Sequence, residues 1–558
     1  VDTEYDEFPL TDVQMAYLIG RNEGIALGGI STHGYYEILT HLNIRKLEES
    51  LNKVIEIQPM LRAIISKSGT QKILKEVPRY RISENDIRGY TDEEQENVIK
   101  TERQRMSHYV FDTEKWPLFE FKAFRTDEEE YYLFVGIDLL IADGGSVRIF
   151  IRQLLDFYYD RFDKNRQNAF TFKDYVEALN DFSESSTYKE DKDYWMEQIS
   201  LIPPAPMLPL QKDPSVIRKP QFARIEKVIP KSEWNVLQKE AKKKGITTST
   251  LLCTAYALVL GYWSNQPELT INVTVFTRYP FNEGVTDIVG DFTSVILLRV
   301  NLLGRSDFWK LASEIQNQLM DALEHRHYDG MNVIRKIAEQ AEMKEQAVMP
   351  VVFTSLLFSM EEGDIVTIED LGEVKMGVSQ TSQVYLDYQV METKEGLLIT
   401  WDYIKELFTP NMISTMFKQY INIVESLSKN VISMPHLDSK EQEVFTAYND
   451  TKLDMPILPI QTTFKKIAEK YPEKILIADN TGGVTCHQVD KQSSQIANYL
   501  LNQKIKRGDV IAVLGNRRKE TIINILGILK AGAAYVAIDP EYPEERKKYI
   551  LSHSESVM

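Results

Sequence analysis

A proline-rich segment, "LIPPAPMLPL" at residues 201–210, interrupts a chain that otherwise alternates short apolar strands with amphipathic helices. Proline lacks a backbone donor and disrupts helix interiors, so this segment cannot lie inside a helix. Similar patterns stand on both sides of it, for example the helical periodicity of "NIRKLEESLNKVIEIQ" at 43–58 and the apolar "TSTLLCTAYALVLGYW" at 248–263. The sequence therefore predicts two α/β lobes, which we place at residues 1–175 and 176–435.

A second change of composition follows the predicted lobes. Residues 433–461 are polar and spaced by prolines, which is typical of a linker, and we place that linker at residues 436–458. The strands "KILIAD" and "DVIAVLG" then alternate with helical segments, as in the opening of a doubly wound α/β domain. The pattern stops before such a domain is complete, so residues 459–558 are predicted to be a partial domain.

Charge and cysteine content narrow the classes of function. The chain of 558 residues carries 82 acidic and 65 basic side chains, and this net charge of −17 disfavours binding to nucleic acid or anionic lipid. We expect protein or small-molecule partners and, because no uncharged run of ~20 residues or leader pattern is visible, a cytoplasmic location. Cys253 and Cys486 lie too far apart in sequence to indicate a disulfide framework or a zinc site, and Cys253 is expected to pack in a helix.

The segment "YLFVGIDLLIADGGSVRIFIRQLL" at 132–155 places Asp138, Asp143 and Ser146 where an apolar strand runs into an apolar helix. One interpretation is structural, with Asp143 or Ser146 capping the helix. Paired carboxylates for acid–base catalysis are a second, although sequence spacing does not set their separation. A metal site lacks a third ligand nearby, and "DGGS" lacks one residue of the serine pattern that carries phosphopantetheine.

The same segment matches the signature D-x-x-x-x-D-x-x-S and resembles the heterocyclization domains of nonribosomal peptide synthetases. These are variants of condensation domains, in which the signature replaces H-H-x-x-x-D-G. Asp138 and Leu139 stand at the two histidine positions, so the histidine that serves condensation domains is missing. Further similar segments follow in the family's order between residues 8 and 435: "FPLTDVQMAYLIGR" (8–21), "PMLRA" (59–63), "LIPPAPMLPL" (201–210), "NVTVFTRYP" (272–280), "DIVGDFTSVILLRV" (287–300), "HYDGMNVIRKI" (327–337), "PVVFTSLL" (350–357) and "SQTSQVYLDYQV" (379–390).

The resemblance implies an α/β fold of two chloramphenicol-acetyltransferase-like lobes, a V-shaped pseudo-dimer with a central tunnel. The segment "LKAGAAYVAIDPEYPEER" at 529–546 is similar to a core motif of adenylation domains. Residues 459–558 therefore resemble the N-terminal part of such a domain, without the phosphate loop and catalytic lysine that adenylation requires.

The function implied is transfer of an acyl or peptidyl group from an upstream carrier domain to cysteine, serine or threonine on a downstream carrier domain. Cyclodehydration to a thiazoline or oxazoline then follows. Phosphopantetheine arms of the carriers present both substrates, and neither a directly bound cofactor nor a metal is expected. Two alternatives remain: an ordinary amide-forming condensation domain and a non-catalytic module that docks carriers.

The resemblance also implies roles for single residues. Asp387 matches the aspartate used for cyclodehydration, and Thr354 matches a threonine that hydrogen-bonds near it; an apolar setting is expected to raise the pKa of Asp387. Asp143 is expected to pair with Arg278 and hold the lobes together. Asp138 and Ser146 are expected to shape the tunnel floor. His108, His325 and His327 are predicted to be surface or packing residues.

Overall fold

The computed structural model describes residues 5–164, 169–304, 307–343, 346–357, 366–455 and 457–558. These residues form two compact units, Val1–Leu437 and Asp438–Met558. Helices and strands alternate in both units, which confirms the predicted α/β class. Within the described residues, no single helix is long and apolar enough to cross a membrane; one sharply bent pair, Lys231–Lys243 with Thr248–Ser264, meets the length and composition criteria together.

The strands are given in chain order. They are β1 (Phe8–Pro9), β2 (His33–Thr40), β3 (Ala63–Ile65), β4 (Thr70–Ile73), β5 (Ser83–Asp86), β6 (Phe119–Arg125), β7 (Tyr131–Asp138), β8 (Phe222–Pro230), β9 (Glu268–Phe276), β10 (Thr293–Asn301), β11 (Val351–Ser355), β12 (Glu373–Gln380), β13 (Leu386–Glu392), β14 (Gly396–Ile404), β15 (Ile475–Asp479), β16 (Gly482–Thr485), β17 (Val510–Leu514) and β18 (Ala534–Ile538).

The α-helices are numbered in the same way. They are α1 (Asp12–Ile19), α2 (Ile44–Ile57), α3 (Asp92–Met106), α4 (Gly144–Tyr158), α5 (Phe172–Phe182), α6 (Ser186–Gln198), α7 (Lys231–Lys243), α8 (Thr248–Ser264), α9 (Phe308–Glu324), α10 (Gly330–Gln340), α11 (Pro410–Ser428), α12 (Ser439–Asn449), α13 (Ile460–Lys470), α14 (Cys486–Asn502), α15 (Lys519–Lys530) and α16 (Glu544–His553).

The first lobe is built on a five-stranded sheet with the order β12-β2-β7-β6-β5. Helices α2 and α4 pack against each other beside it, and the apolar stripe of α2, which includes Leu47, Leu51 and Val54, is fully buried. The edge strand β12 comes from the second half of the chain and pairs antiparallel with β2. The two lobes are therefore interlocked by a strand that no local sequence pattern assigns to the first lobe.

The second lobe is built on a six-stranded sheet with the order β10-β9-β11-β13-β14-β8. Its central strand β11 pairs in parallel with both β9 and β13, which fixes the relative height of their side chains. Helix α8 is buried along most of its length between the sheet strands and helices α7, α9 and α11. This helical layer covers one face of the sheet and leaves the other face directed at a cavity.

A helix spans one of the predicted domain boundaries, and another helix lies within the predicted linker. Helix α5 crosses the boundary predicted after residue 175, and its Phe172 and Val176 belong to the first lobe's core. Residues 436–458, predicted to be a linker, contain helix α12, which begins with a capping box between Asp438 and Glu441 and buries no residue. The polar composition of α12 is typical of a linker, and a capping box alone is a weak signal for a helix.

The two strands predicted in the second unit, "KILIAD" and "DVIAVLG", correspond to β15 and β17. Strands β15 and β16 form an antiparallel pair, and β17 and β18 are parallel neighbours joined through α15. A parallel pair with an intervening helix is the repeating element of doubly wound folds, as the sequence pattern indicated.

Candidate active site between the two lobes

A cavity of about 250 Å³ lies within the first unit, with residues of both lobes in its wall. The first lobe contributes helix α1, strand β2 and the join between β7 and α4. The second lobe contributes one face of its sheet. The polar residues of that sheet face, of the end of β12 and of the turn after β12 are Asn272, Thr274, Thr293, Thr354, Ser379, Thr381, Ser382, Gln383, Asp387 and Gln389.

Strand alternation explains which residues of the second lobe reach the cavity. In β9 and β13 every second residue lines it, namely Thr274 and Phe276 in one strand and Asp387 and Gln389 in the other. In β11 the cavity side is occupied by Thr354. The parallel register places Thr354 opposite Thr274 on one side and opposite Gln389 on the other. We call Thr274, Thr354, Asp387 and Gln389 the sheet row.

Asp387 is almost completely buried, and its two oxygens have different environments. Oδ2 accepts a hydrogen bond of 2.9 Å from Gln389 Nε2, whereas Oδ1 lies 3.5 Å from Thr354 Oγ1. Burial raises the pKa of Asp387 to about 7, against a lowering effect of the Gln389 hydrogen bond. A carboxyl group with such a pKa can both donate and accept a proton near neutral pH.

A buried ion pair lies beside the sheet row. Asp402 of β14 is the cross-strand neighbour of Asp387 and accepts two hydrogen bonds from Arg224 of β8, at 2.9 and 2.7 Å. The charge of Asp402 raises the pKa of Asp387 and that of Arg224 lowers it. The Arg224 guanidinium thus forms a bidentate ion pair with Asp402. Among the described residues, it makes no hydrogen bond with Asp387.

The join between β7 and α4 is bonded to the loop before β10. Asp143 caps α4 by accepting from Ser146 N at 2.6 Å, and its second oxygen accepts from Phe292 N at 2.9 Å. The Ser146 hydroxyl donates to Gly290 O at 2.6 Å and accepts from Gly290 N at 3.1 Å. Asp143 N also donates to Gly290 O at 3.0 Å. We call Asp143, Ser146, Arg278, Gly290 and Phe292 the lobe clasp.

Arg278 completes the lobe clasp without a direct hydrogen bond to the carboxylate. Its Nη2 lies 3.7 Å from Asp143 Oδ1 and donates to Ser146 Oγ at 2.9 Å, while Nη1 donates to Val285 O and Ile288 O. The guanidinium also lies over the Phe292 ring at 3.9 Å. Burial lowers the pKa of Arg278, and the Asp143 charge counteracts that effect. The expected Asp143–Arg278 pair is therefore a contact of opposite charges, with Ser146 between them as the shared partner.

Asp138 and Ser146 do not line the cavity, which differs from the tunnel floor expected for them. Ile137 of β7 and Leu139, directly after the end of β7, face the cavity, so alternation turns Asp138 to the opposite face. There Asp138 is fully buried and pairs with Arg21. Ser146 is likewise fully buried, and its hydroxyl is bonded within the lobe clasp.

Leu139, which the resemblance places at the second histidine position of condensation domains, lies in the cavity wall. None of the described residues of this wall is a histidine. His327 instead contacts Asp191, and His325 stacks on Tyr194, away from the wall. Cys253 is buried in the core of the second lobe, and burial raises the pKa of its thiol to about 12, which disfavours the reactive thiolate form.

Several residues of the site were not singled out from the sequence. Thr274 and Gln389 contact Thr354 and Asp387, and Tyr17 of α1 lines the same cavity. The alternation of "NVTVF" and "LDYQV" is the signal that identifies Thr274 and Gln389. It places Thr274 on the same strand face as Phe276, and Gln389 on the same strand face as Asp387. In the described parts of the chain, no three acidic, histidine or cysteine side chains are grouped to hold a metal ion.

Comparison with known proteins identifies the family. Residues 5–452 match the condensation domain family, and residues 464–558 match the AMP-binding enzyme family. The chain is 38% identical to bacitracin synthase 1 of Bacillus licheniformis over 552 residues, 99% of the chain but 10% of that protein. It is 28% identical to pyochelin synthetase PchF of Pseudomonas aeruginosa, covering 100% of the chain and 30% of the relative. The chain thus spans less than a third of either relative.

A solved structure extends the comparison to the fold. The EpoB cyclization-docking bidomain of a nonribosomal peptide synthetase from Sorangium cellulosum is 32% identical, with a TM-score of 0.73. The similarity covers 76% of this chain and 86% of that structure. The predicted resemblance to heterocyclization domains is thereby confirmed. The chain belongs to the condensation-domain family of nonribosomal peptide synthetases and continues into the beginning of an AMP-binding domain.

Proposed function

We propose that the first unit is a heterocyclization domain, which joins two carrier-bound substrates and then closes a thiazoline or oxazoline ring. The observation that carries this proposal is the position of Asp387 beside Thr354 in the wall between the lobes. The same wall contains Leu139 in place of the histidine of ordinary condensation domains. This combination favours ring closure over amide formation alone.

The first chemical step joins donor and acceptor. The acceptor's amine nitrogen attacks the carbonyl carbon of the donor thioester, an amide bond forms, and the carbon–sulfur bond breaks. The donor carrier's sulfur leaves with the proton lost by the amine. The largely apolar wall, which includes Leu139, Phe276 and Met391, excludes water that would hydrolyse the thioester.

The second step closes the ring. The acceptor's side-chain thiol or hydroxyl attacks the new amide carbonyl, and the carbonyl oxygen becomes a hydroxyl group. That hydroxyl leaves as water, the nitrogen loses its proton, and a carbon–nitrogen double bond forms. Asp387 suits both proton transfers, because a carboxyl with a pKa near 7 can protonate the departing oxygen and be restored by the proton from nitrogen.

The partners follow from this chemistry. An upstream carrier domain presents the donor and a downstream carrier domain presents cysteine, serine or threonine, each on a phosphopantetheine arm that reaches the cavity. The adenylation domain that begins in the second unit is the source of the activated acceptor in this scheme. No cofactor bound directly by the first unit is needed for the two steps, because neither step is a redox reaction.

Intact mass spectrometry tests the proposal. The protein is supplied with an acyl-loaded donor carrier and a cysteinyl-loaded acceptor carrier, and Asp387→Asn is compared with the unchanged chain. We expect a product about 18 Da lighter than the linear amide from the unchanged chain. Asp387→Asn should reduce ring closure by about 10²–10⁴-fold while the linear amide accumulates.

Asp181→Asn is the matched control, because Asp181 is exposed on α5 and the substitution removes a carboxylate without touching the cavity wall. This control should cyclize like the unchanged chain. A linear amide as the final product with cysteine, serine and threonine would assign the domain to ordinary condensation. Absence of any transfer would favour a module that only docks carriers.

A further inference from the structure

Thr274 of β9 is the nearest hydroxyl partner of Thr354. Thr354 Oγ1 lies 3.0 Å from Thr274 Oγ1 and 3.5 Å from Asp387 Oδ1. Hydroxyl hydrogen bonds to oxygen are usually 2.5–3.0 Å long, so the first contact is an ordinary hydrogen bond and the second is stretched. The parallel register of β9 and β11 fixes the first contact, because the two threonines are direct cross-strand neighbours.

Gln389 determines which oxygen of Asp387 carries the acid proton. Its amide Nε2 donates to Oδ2, and an amide NH₂ group can only donate. Oδ2 is therefore held as an acceptor, and the proton of the neutral carboxyl belongs on Oδ1. That oxygen is the one directed at Thr354.

The single proton of Thr354 must then point elsewhere. A threonine hydroxyl has one donor and two acceptor lone pairs. When Asp387 is protonated on Oδ1, Thr354 can receive that hydrogen bond only if its own proton is directed at another acceptor. Thr274 Oγ1 is the acceptor that the structure provides at 3.0 Å.

We propose that Thr274 is a positioning residue for ring closure, which accepts the Thr354 proton and leaves a lone pair of Thr354 directed at Asp387. The inference rests on the proposed function and extends it by one residue. In this arrangement Thr274 stabilises the protonated form of Asp387. Without the Thr274 hydroxyl, the Thr354 proton turns to Oδ1 and stabilises the carboxylate, which lowers the pKa of Asp387.

The other groups that act on Asp387 remain in place when Thr274 is changed. They are Asp402 of β14, Arg224 of β8, Tyr17 of α1 and Tyr256 of α8. Thr274→Val keeps the β-branched shape of the side chain and replaces its hydroxyl with a methyl group. Thr274→Ser keeps the hydroxyl and removes a methyl group, so it serves as the conservative rescue.

The test is the pH dependence of ring closure, measured with linear amide formation as the internal reference. We expect Thr274→Val to move the midpoint of the profile to lower pH by roughly half to one unit. Thr274→Ser should restore the profile of the unchanged chain. An unchanged or raised midpoint in Thr274→Val would overturn the inference.

A second measurement does not depend on catalysis. The chain is labelled with ¹³C at aspartate carboxyl groups, and the Asp387 signal is assigned by its loss in Asp387→Asn. Its titration in Thr274→Val should again move to lower pH, and the same midpoint in both proteins would refute the positioning role. If the unchanged chain forms no ring, the proposed function fails, while this titration still decides the role of Thr274.

Discussion

The lobe clasp and the sheet row both combine an aspartate with a hydroxyl group, yet their hydrogen bonding differs. In the lobe clasp, both oxygens of Asp143 accept backbone N–H groups at ordinary distances, and the Ser146 hydroxyl uses its donor and both acceptor sites. In the sheet row, one oxygen of Asp387 has an amide partner and the other has only a stretched contact with Thr354.

This difference separates a residue that maintains the fold from one that is suited to chemistry. A polar group whose partners are all protein atoms has no capacity left for a substrate, and removing it leaves buried partners unsatisfied. A buried carboxyl with few partners has a raised pKa, as Asp387 has, and keeps an oxygen for a reacting atom. The two motifs look equally functional in sequence, and their hydrogen-bond partners distinguish them.

The largest expected effect tests the structural side of the comparison. Asp143→Ala removes the helix cap, the bond to Phe292 N and the charge next to buried Arg278. We expect a loss of about 3–5 kcal/mol in the free energy of unfolding of the first unit, since breaking one side of a buried charge pair is costly. Urea unfolding measures it, with exposed Asp181→Ala as control. A loss below about 1 kcal/mol would place Asp143 outside the residues that maintain the fold.

The second prediction is that Asp387→Asn increases the free energy of unfolding at high pH, whereas Asp143→Ala decreases it. Because burial raises the folded-state pKa of Asp387 to about 7, from an unfolded value of about 4, the folded state binds more protons between these pH values. The contribution of the Asp387 carboxyl to the free energy of unfolding is therefore present at low pH and is lost as the pH rises towards 7. Three pKa units correspond to about 4 kcal/mol, an upper bound for the gain in stability of Asp387→Asn at pH ~8.

The measurement for this prediction is the difference in free energy of unfolding between Asp387→Asn and the unchanged chain, followed from pH ~4 to pH ~8. The difference should grow in favour of the variant as the pH rises. Asp143→Asn should show no such growth in its favour. If both asparagine variants lose stability equally at pH ~8, the distinction between the lobe clasp and the sheet row does not hold.

The sequence predicted the class of fold and the proximity of Thr354 to Asp387, but not all the contacts around them. Thr354 and Asp387 were paired through the family resemblance, since their contact depends on parallel neighbours 33 residues apart. Local patterns do not specify such pairing. For the same reason the sequence did not place β12, which forms the edge of the first lobe's sheet far from its neighbours in sequence.

The misplacement of Asp138 has a different physical origin. The segment "GIDLL" has the alternation that turns Asp138 away from Ile137 and Leu139, but the signature motif suggested one common location for its residues. A motif of nine residues that crosses from strand to helix directs its side chains to both faces of the sheet. Asp138 consequently belongs to a buried pair with Arg21, whereas Asp143 belongs to the lobe clasp.

The smallest expected effect compares the two hydroxyl groups. Ser146→Ala leaves Gly290 N and one nitrogen of Arg278 without their acceptor in a fully buried setting, for a predicted loss of about 1–3 kcal/mol. Thr354→Val should cost less than about 1 kcal/mol, because Thr354 lines the cavity, its contact with Asp387 is stretched, and its one hydrogen bond of ordinary length joins it to another neutral hydroxyl, that of Thr274. Urea unfolding of the two variants, with Ser414→Ala on the exposed side of α11 as control, measures the contrast. Equal losses at both positions would mean that the Thr354 hydroxyl is as firmly bound within the fold as that of Ser146, and its assignment to the reaction would then have to rest on activity measurements alone.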